Sequence, residues 1–249
     1  MTITINEQNI YYEQAGGGEA ILLLHGWGAD HRLFKPLMDL LARKYRVYAI
    51  DFPGFGQSPE PASGWCVDDY ADLVLGFCGA LGIEACSLLG HSFGGRVIIK
   101  LAARQLETPR LDKLILVDAA GIRKVQSKKG QRRAKRYKLG KKMLKPFPKL
   151  LKAWAGRHGS ADYKAASPMM RQVFVRVVNE DLTASLALIR PPTLLVWGRD
   201  DVDTPLSDGQ LMEREIPNAG LVVLENCGHY SFVEQQAQFL RVMASFMGI

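Results

Sequence analysis

No stretch of this sequence approaches the ~18 consecutive apolar residues needed to cross a bilayer, so no transmembrane segment is expected. The opening Met1-Thr2-Ile3-Thr4-Ile5-Asn6-Glu7 is polar and has no basic leader, which argues against a secretory signal. Cysteine is scarce: Cys66, Cys78, Cys86 and Cys227 share no spacing of the zinc-binding or redox kind. A chain of 249 residues, 47% of them apolar, can bury a core without covalent staples. Reduced thiols, a cytoplasmic location and no metal or cofactor are therefore expected. Acid is missing where base is dense. Residues 121–160 hold fifteen Lys or Arg and no Asp or Glu, leaving 17 basic against 25 acidic residues elsewhere. The net charge of +7 thus arises wholly from this one segment.

What is present turns on Gly90-His91-Ser92-Phe93-Gly94, which follows the apolar run Ala85-Cys86-Ser87-Leu88-Leu89. A serine hydroxyl is a poor nucleophile until a base takes its proton and a rigid turn presents the oxygen. A strand that reverses sharply into a helix does this, and glycines two before and two after the serine relieve the crowding. Gly95 and then Arg96 to Arg104, which reads as a helix, complete the strand-turn-helix context. Two partners follow downstream. Leu194 to Gly198 is an apolar strand running into the carboxylates Asp200, Asp201 and Asp203, and Asn226-Cys227-Gly228-His229 follows the strand Leu221 to Leu224. In this order His229 would take the serine proton, and an aspartate would fix its tautomer. The Phe93 amide, next after the serine, is an expected donor to the oxyanion.

The alternation of strands and helices predicts a mostly parallel, doubly wound α/β sheet. Ile3–Ile5 and Ile10–Glu13 read as an antiparallel hairpin at one edge, and Ala20–Leu24 as a continuous apolar strand. Helices are expected around His31–Arg43, Val67–Leu81, Leu206–Glu215 and at the end of the chain.

With these motifs the chain resembles the α/β-hydrolase superfamily, and within it the lidded esterases and C–C hydrolases whose strand end reads His-Gly-x-Gly. Here those residues are His25-Gly26-Trp27-Gly28, joined by Asp51-Phe52-Pro53-Gly54-Phe55-Gly56-Gln57-Ser58 and the Gly198-to-Asp201 spacing. The resemblance spans about Ala20 to Phe246 and is weakest between residues 122 and 188. It implies an α/β-hydrolase core over 1–120 and 191–249 with a helical, strongly basic lid insertion over 121–190. It also implies Trp27 as the second oxyanion donor and Asp201 as the acid. Asp118, at the end of the preceding strand, matches members that carry the acid there, so both carboxylates stay candidates. Cys227 and His91 read as packing residues and His25 as a buried structural histidine, whereas His31 and His158 have no partner nameable from sequence.

In the insertion, Lys128, Lys129, Arg132, Arg133, Lys135 and Arg136 leave no apolar face on a helical wheel. Two readings stay open. The segment is a lid packed by its apolar side under a solvated basic exterior, or its apolar part lines an acyl pocket while the basic part recruits an anionic partner. In the second case Trp27, Met143, Phe147, Trp154 and Phe174 are candidate substrate contacts. The partner would be an acidic acyl carrier protein, a phosphorylated or carboxylated ester, or an anionic lipid surface. Nucleic acid is not an expected partner, because stacking platforms among these basic residues are scarce. The expected activity is hydrolysis of a carboxylic ester with a small or medium apolar acyl group. C–C bond hydrolysis and hydrolysis of an acyl-carrier-linked ester use the same machinery, and a ligand sensor retaining the triad is the non-enzymatic alternative. Serine rather than aspartate at position 92 argues against epoxide or haloalkane chemistry.

Overall fold

The computed structural model describes residues 1–123 and 160–249, together with Met143 and Pro146. The six basic positions from Lys128 to Arg136, and likewise Phe147, Trp154 and His158, lie outside the described residues. Eight strands form one sheet: β1 (Thr2–Ile5), β2 (Gln8–Ala15), β3 (Ala20–Leu24), β4 (Arg46–Ile50), β5 (Ala85–His91), β6 (Arg110–Val117), β7 (Thr193–Gly198) and β8 (Ala219–Leu224). Their spatial order is β1-β2-β4-β3-β5-β6-β7-β8. β1 and β2 pair antiparallel through a tight turn at Asn6 and Glu7, both at positive φ, as a two-residue hairpin loop requires. β2 also runs antiparallel to β4, and every later pairing is parallel.

β3 and β7 are buried along their whole length because both faces of the central sheet are covered. Along β3, Leu22 and Leu24 join one core cluster while Ile21 and Leu23 join the other. The same alternation recurs in β6, with Leu114 and Leu116 facing one way and Ile115 and Val117 the other. The first face packs α2 (Val67–Ala80) and α3 (Phe93–Ala102), which bury Tyr70, Phe77, Val97 and Ile98. The opposite face packs α1 (Lys35–Leu41) and the C-terminal helix Gln236–Met247, which bury Leu37, Leu41, Phe239 and Met243. The expected helix over His31–Arg43 is divided. His31–Phe34 forms a 3₁₀ turn capped by Asp30, and the α-helix begins behind it with Pro36 in its first turn. Within the expected insertion lie α4 (Ala161–Ala165), α5 (Pro168–Asn179) and a 3₁₀ turn at Thr183–Leu188. α5 buries Met170, Val173 and Val177, one stripe at helical spacing, and leaves Val178 exposed. Between β7 and the C-terminal helix lie α6 (Leu206–Glu215) and the short α7 (Ser231–Glu234); the C-terminal helix is α8. Among the described residues no helix is long and apolar enough to cross a membrane.

One buried carboxylate ties the loops at the C-terminal ends of these strands together. Asp51, fully buried after β4, accepts from the His31 backbone N–H (2.8 Å), His31 Nδ1 (2.8 Å) and the Gln57 N–H (2.9 Å). Its backbone N–H donates to Tyr11 O in β2, and its carbonyl accepts from Ser58 Oγ. Removing the carboxylate leaves two buried donors on His31 and the partly buried N–H of Gln57 without their acceptor. The substitution Asp51→Ala is therefore expected to lower stability by about 3–5 kcal/mol, read as a fall in the urea midpoint at unchanged m-value. A loss below ~1 kcal/mol would show that Asp51 contributes no more than a surface ion pair.

Candidate active site

Ser92 stands where β5 turns into α3, at φ 48 and ψ −106, a left-handed backbone that a residue with a Cβ adopts only under strain. Its neighbours hold it there. The Ser92 N–H donates to Val117 O (3.0 Å), and its carbonyl accepts from Arg96 N–H (3.2 Å) and Ala120 N–H (2.9 Å). The flanking glycines are needed for close approach. A Cβ on Gly94 would lie 2.0 Å from the Leu24 carbonyl oxygen, and one on Gly90 2.5 Å from the Gly94 carbonyl carbon.

His229 and Asp201 come to Ser92 from the loops after β8 and β7. His229 Nε2 is 2.9 Å from Ser92 Oγ, and His229 Nδ1 is 2.8 Å from Asp201 Oδ2. With Nδ1 donating to the carboxylate, Nε2 is left as an acceptor for the serine proton. Burial alone would depress the imidazole. The hydrogen bond and charge of Asp201, with the charges of Asp118 and Asp203, raise it instead above its ordinary value of 6.5. Burial likewise works to raise the Asp201 carboxyl. The bonds from His229 and Thr204 hold it below the usual carboxylate range. Thr204 completes the cradle, its N–H donating to Asp201 Oδ1 (3.0 Å) and its Oγ1 to Asp201 Oδ2 (2.7 Å). The Asp203 N–H donates to Asp201 Oδ1 as well (2.8 Å).

Asp118 is placed differently. Its carboxylate accepts from the Gly198 N–H (2.8 Å) and from the Ser231 N–H and hydroxyl, so it pins β7 and the start of α7. Burial pushes it up to about 7 despite those bonds. Asp200 is exposed at the edge of the loop.

His25 and His91 have structural partners. His25 is fully buried, with Nδ1 2.7 Å from the Gly26 carbonyl and Nε2 accepting from the Phe52 N–H (2.9 Å), an arrangement that suits the neutral ring. Burial lowers its pKa. His91 donates from Nε2 to the His229 backbone carbonyl (2.8 Å), bracing the loop that carries His229. Burial, with the neighbouring His229, holds His91 down at about 3, and its Nδ1 has no partner among the described residues. Cys227 is packed with Sγ on the Leu224 carbonyl, and burial pushes its thiol up to about 11.

Phe93 opens α3, where the first N–H groups of a helix have no intrahelical acceptor. Trp27 lies within the turn closed by the Ala29 N–H donating to Gly26 O (3.2 Å). Its ring meets Phe55, Phe93 and Phe174 edge to face, with centroids 4.9, 5.8 and 5.0 Å away. Trp27, Phe93 and Phe174 border a cavity of about 300 Å³ that also reaches Ser92 and His229. Of the sequence-derived substrate contacts, Trp27 and Phe174 line it, whereas Met143 is 68% exposed and does not. Sequence reading missed Thr204, Ser231, the pairing of His31 with Asp51, and Arg96 on the cavity wall. An Asp followed three residues on by Thr was the one available signal for the Asp201 cradle.

Among the described residues, two acidic groupings have metal-like proximity, Asp30-His31-Asp51 and Asp201-Asp203-His229. In both, the donor atoms already serve hydrogen bonds within the protein, from Arg32 and Gln57 in the first and Thr204 in the second.

Comparison with known proteins agrees with this architecture. The family model described as "Alpha/beta hydrolase family" matches residues 21–242. The chain is 30% identical to the AB hydrolase superfamily protein YisY of Bacillus subtilis (strain 168), over 95% of this chain and 94% of that protein. It is 27% identical to the pimeloyl-[acyl-carrier protein] methyl ester esterase of Aeromonas hydrophila, over 96% of this chain and 100% of the relative. A solved membrane phospholipase A, described as a bacterial virulence factor, superposes with a TM-score of 0.80 at 28% identity, covering 100% of this chain and 85% of that one. On its sequence match and its fold, the chain belongs to the alpha/beta hydrolase family.

Proposed function

We propose that this protein is a serine hydrolase cleaving a carboxylic ester with a small or medium apolar acyl group. The observation that carries the reading is the unbroken line from Asp201 through His229 to Ser92, with contacts of 2.8 and 2.9 Å, at the wall of a cavity with aromatic sides. Ser92 Oγ attacks the ester carbonyl while His229 Nε2 takes its proton. Asp201 holds the ring in the donating tautomer and stabilises the imidazolium. The amides of Phe93 and Trp27 receive the developing oxyanion, aided by the positive end of α3. His229 then protonates the departing alcohol, and water, activated by the same imidazole, releases the acid from the acyl-enzyme. The strained Ser92 backbone keeps the hydroxyl in place before substrate arrives, so little ordering remains to be done at the moment of attack.

A second reading concerns the form in which the ester arrives. Fifteen Lys or Arg without a single Asp or Glu between residues 121 and 160 suit an acidic carrier, and one relative is named as an esterase of an acyl-carrier-protein-linked methyl ester. In this reading 121–190 is a basic lid whose charge raises the encounter rate.

Four outcomes follow. Ser92→Ala is expected to cut kcat on 4-nitrophenyl butyrate about 10⁶-fold with the unfolding midpoint retained; turnover that survives would remove Ser92 as nucleophile. The acid limb of kcat/KM tracks the free imidazole, so it is expected to rise with an inflection above 6.5. Asp201→Asn removes the charge that favours imidazolium, so this inflection moves to lower pH while kcat falls about 10⁴-fold; an unmoved inflection would disconnect Asp201 from His229. Finally, hydrolysis of an ester on an acidic carrier protein should weaken as salt rises from low to physiological strength while a free ester is unaffected. Equal salt response of both substrates would discard the carrier reading.

A further inference from the structure

The cavity beside Ser92 contains a cation that ester hydrolysis does not use. Arg96 lies one turn into α3, its N–H donating to the Ser92 carbonyl, about 6 Å along the helix axis from the nucleophile. Its side chain is only 5% exposed, yet it lines the cavity. A guanidinium has five N–H donors and stays charged. Among the described residues, its hydrogen bonding consists of Nη1 donating to the backbone carbonyl of Glu180 (2.6 Å).

No carboxylate neutralises it there. The Glu180 carboxylate is taken by Lys100 Nζ at 2.6 Å, and the Asp181 carboxylate accepts from the Thr183 N–H and hydroxyl. Asp162 and Asp203 share the cavity but form no ion pair with Arg96 within 4.0 Å. Residues 124–159 contain no Asp or Glu, so that part of the chain has no carboxylate to offer. Burial works against the Arg96 charge, with only the more distant charges of Glu180 and Asp181 opposing it. A buried cation with a backbone carbonyl for company, on the wall of a cavity that also contains a nucleophile, is chemically incomplete. A planar fork of donors is matched best by a carboxylate, which it can grip with two parallel bonds.

We infer that Arg96 is a specificity-determining residue that pairs with a carboxylate carried by the ester substrate. The inference rests on Ser92 being the nucleophile and refines the substrate class: an ester with apolar methylenes against Trp27 and Phe174, and a free acid group within reach of α3. The competing role is purely structural, a clamp from α3 to the Glu180 carbonyl at the end of α5. A clamp acts on every substrate equally; a carboxylate subsite does not.

The test compares matched pairs of esters in wild type, Arg96→Met and Arg96→Lys. One pair places the acid on the acyl side, 4-nitrophenyl hydrogen adipate against 4-nitrophenyl hexanoate. The other places it on the leaving group, 3-carboxyphenyl hexanoate against phenyl hexanoate. Wild type is expected to favour the acid in one pair. In Arg96→Met the acid-to-neutral ratio of kcat/KM should fall about 10- to 100-fold in that pair, with part of it recovered in Arg96→Lys. A ratio that Arg96→Met leaves unmoved in both pairs overturns the inference, whatever happens to the absolute rates. To separate this from failure of the esterase reading, adipate binding is measured by calorimetry on Ser92→Ala with and without Arg96→Met. Weaker binding by tenfold or more supports the subsite even without turnover, and equal binding counts against it.

Discussion

The chain's chemistry depends on one backbone reversal. Between β5 and α3 the main chain passes through Ser92 in a left-handed conformation, and every element around it is arranged so that this conformation persists. Gly94 sits so close to the Leu24 carbonyl, and Gly90 so close to the Gly94 backbone, that no side chain fits at either position. β3, β5 and β6 flank the turn as a parallel, doubly covered sheet, which supplies the rigidity that a strained turn cannot supply for itself. The result is a half-buried hydroxyl on a cavity wall at the head of a helix, the end that carries the positive pole of the helix dipole.

Around this turn, two buried carboxylates differ in what the fold asks of them. Asp201 is surrounded by N–H and hydroxyl donors and touches the His229 ring, so it stays ionised and biases the imidazole toward accepting a proton. Asp118 spends its oxygens on the backbone of β7 and on Ser231, and desolvation leaves it near neutrality. The same residue type, one strand apart, thus serves electrostatics in one place and chain geometry in the other. The histidines divide in the same way: His25 and His91 are kept neutral by burial and bond to backbone, leaving His229 as the ring whose Nδ1 meets a carboxylate and whose Nε2 meets a hydroxyl.

The strands could be read from sequence because a parallel sheet covered on both faces writes itself as short unbroken apolar runs, as Ala20–Leu24 and Thr193–Gly198 do. β6 begins earlier than its apolar residues suggest, since Arg110 and Leu111 pair with β5 through backbone bonds that ignore side-chain polarity. The split of the helix after His31 was hidden for a similar reason: Asp30 and Pro36 are local signals that apolar spacing does not register. Ser92 and His229 could be singled out by motif and order. Whether Asp201 or Asp118 meets the imidazole could not, because both end neighbouring strands and only the path of the loops separates them. Ser231 and Arg96 carried no periodic or motif signal, being polar residues whose partners lie far along the chain or on backbone atoms.

β6 and β7 are hydrogen-bonded neighbours, Leu114 opposite Thr193 and Val117 opposite Val196. Because the two strands run parallel, the long excursion over residues 118–192 leaves from the C-terminal end of β6 and must come back to the opposite end of the sheet to begin β7. Its described ends are tied to the core: Asp118 pins β7, and Met170, Val173 and Val177 join the cluster that contains α2 and α3. Ser92, Asp201 and His229 are all presented from strand ends, so added length between those ties costs loop-closure entropy that grows only slowly.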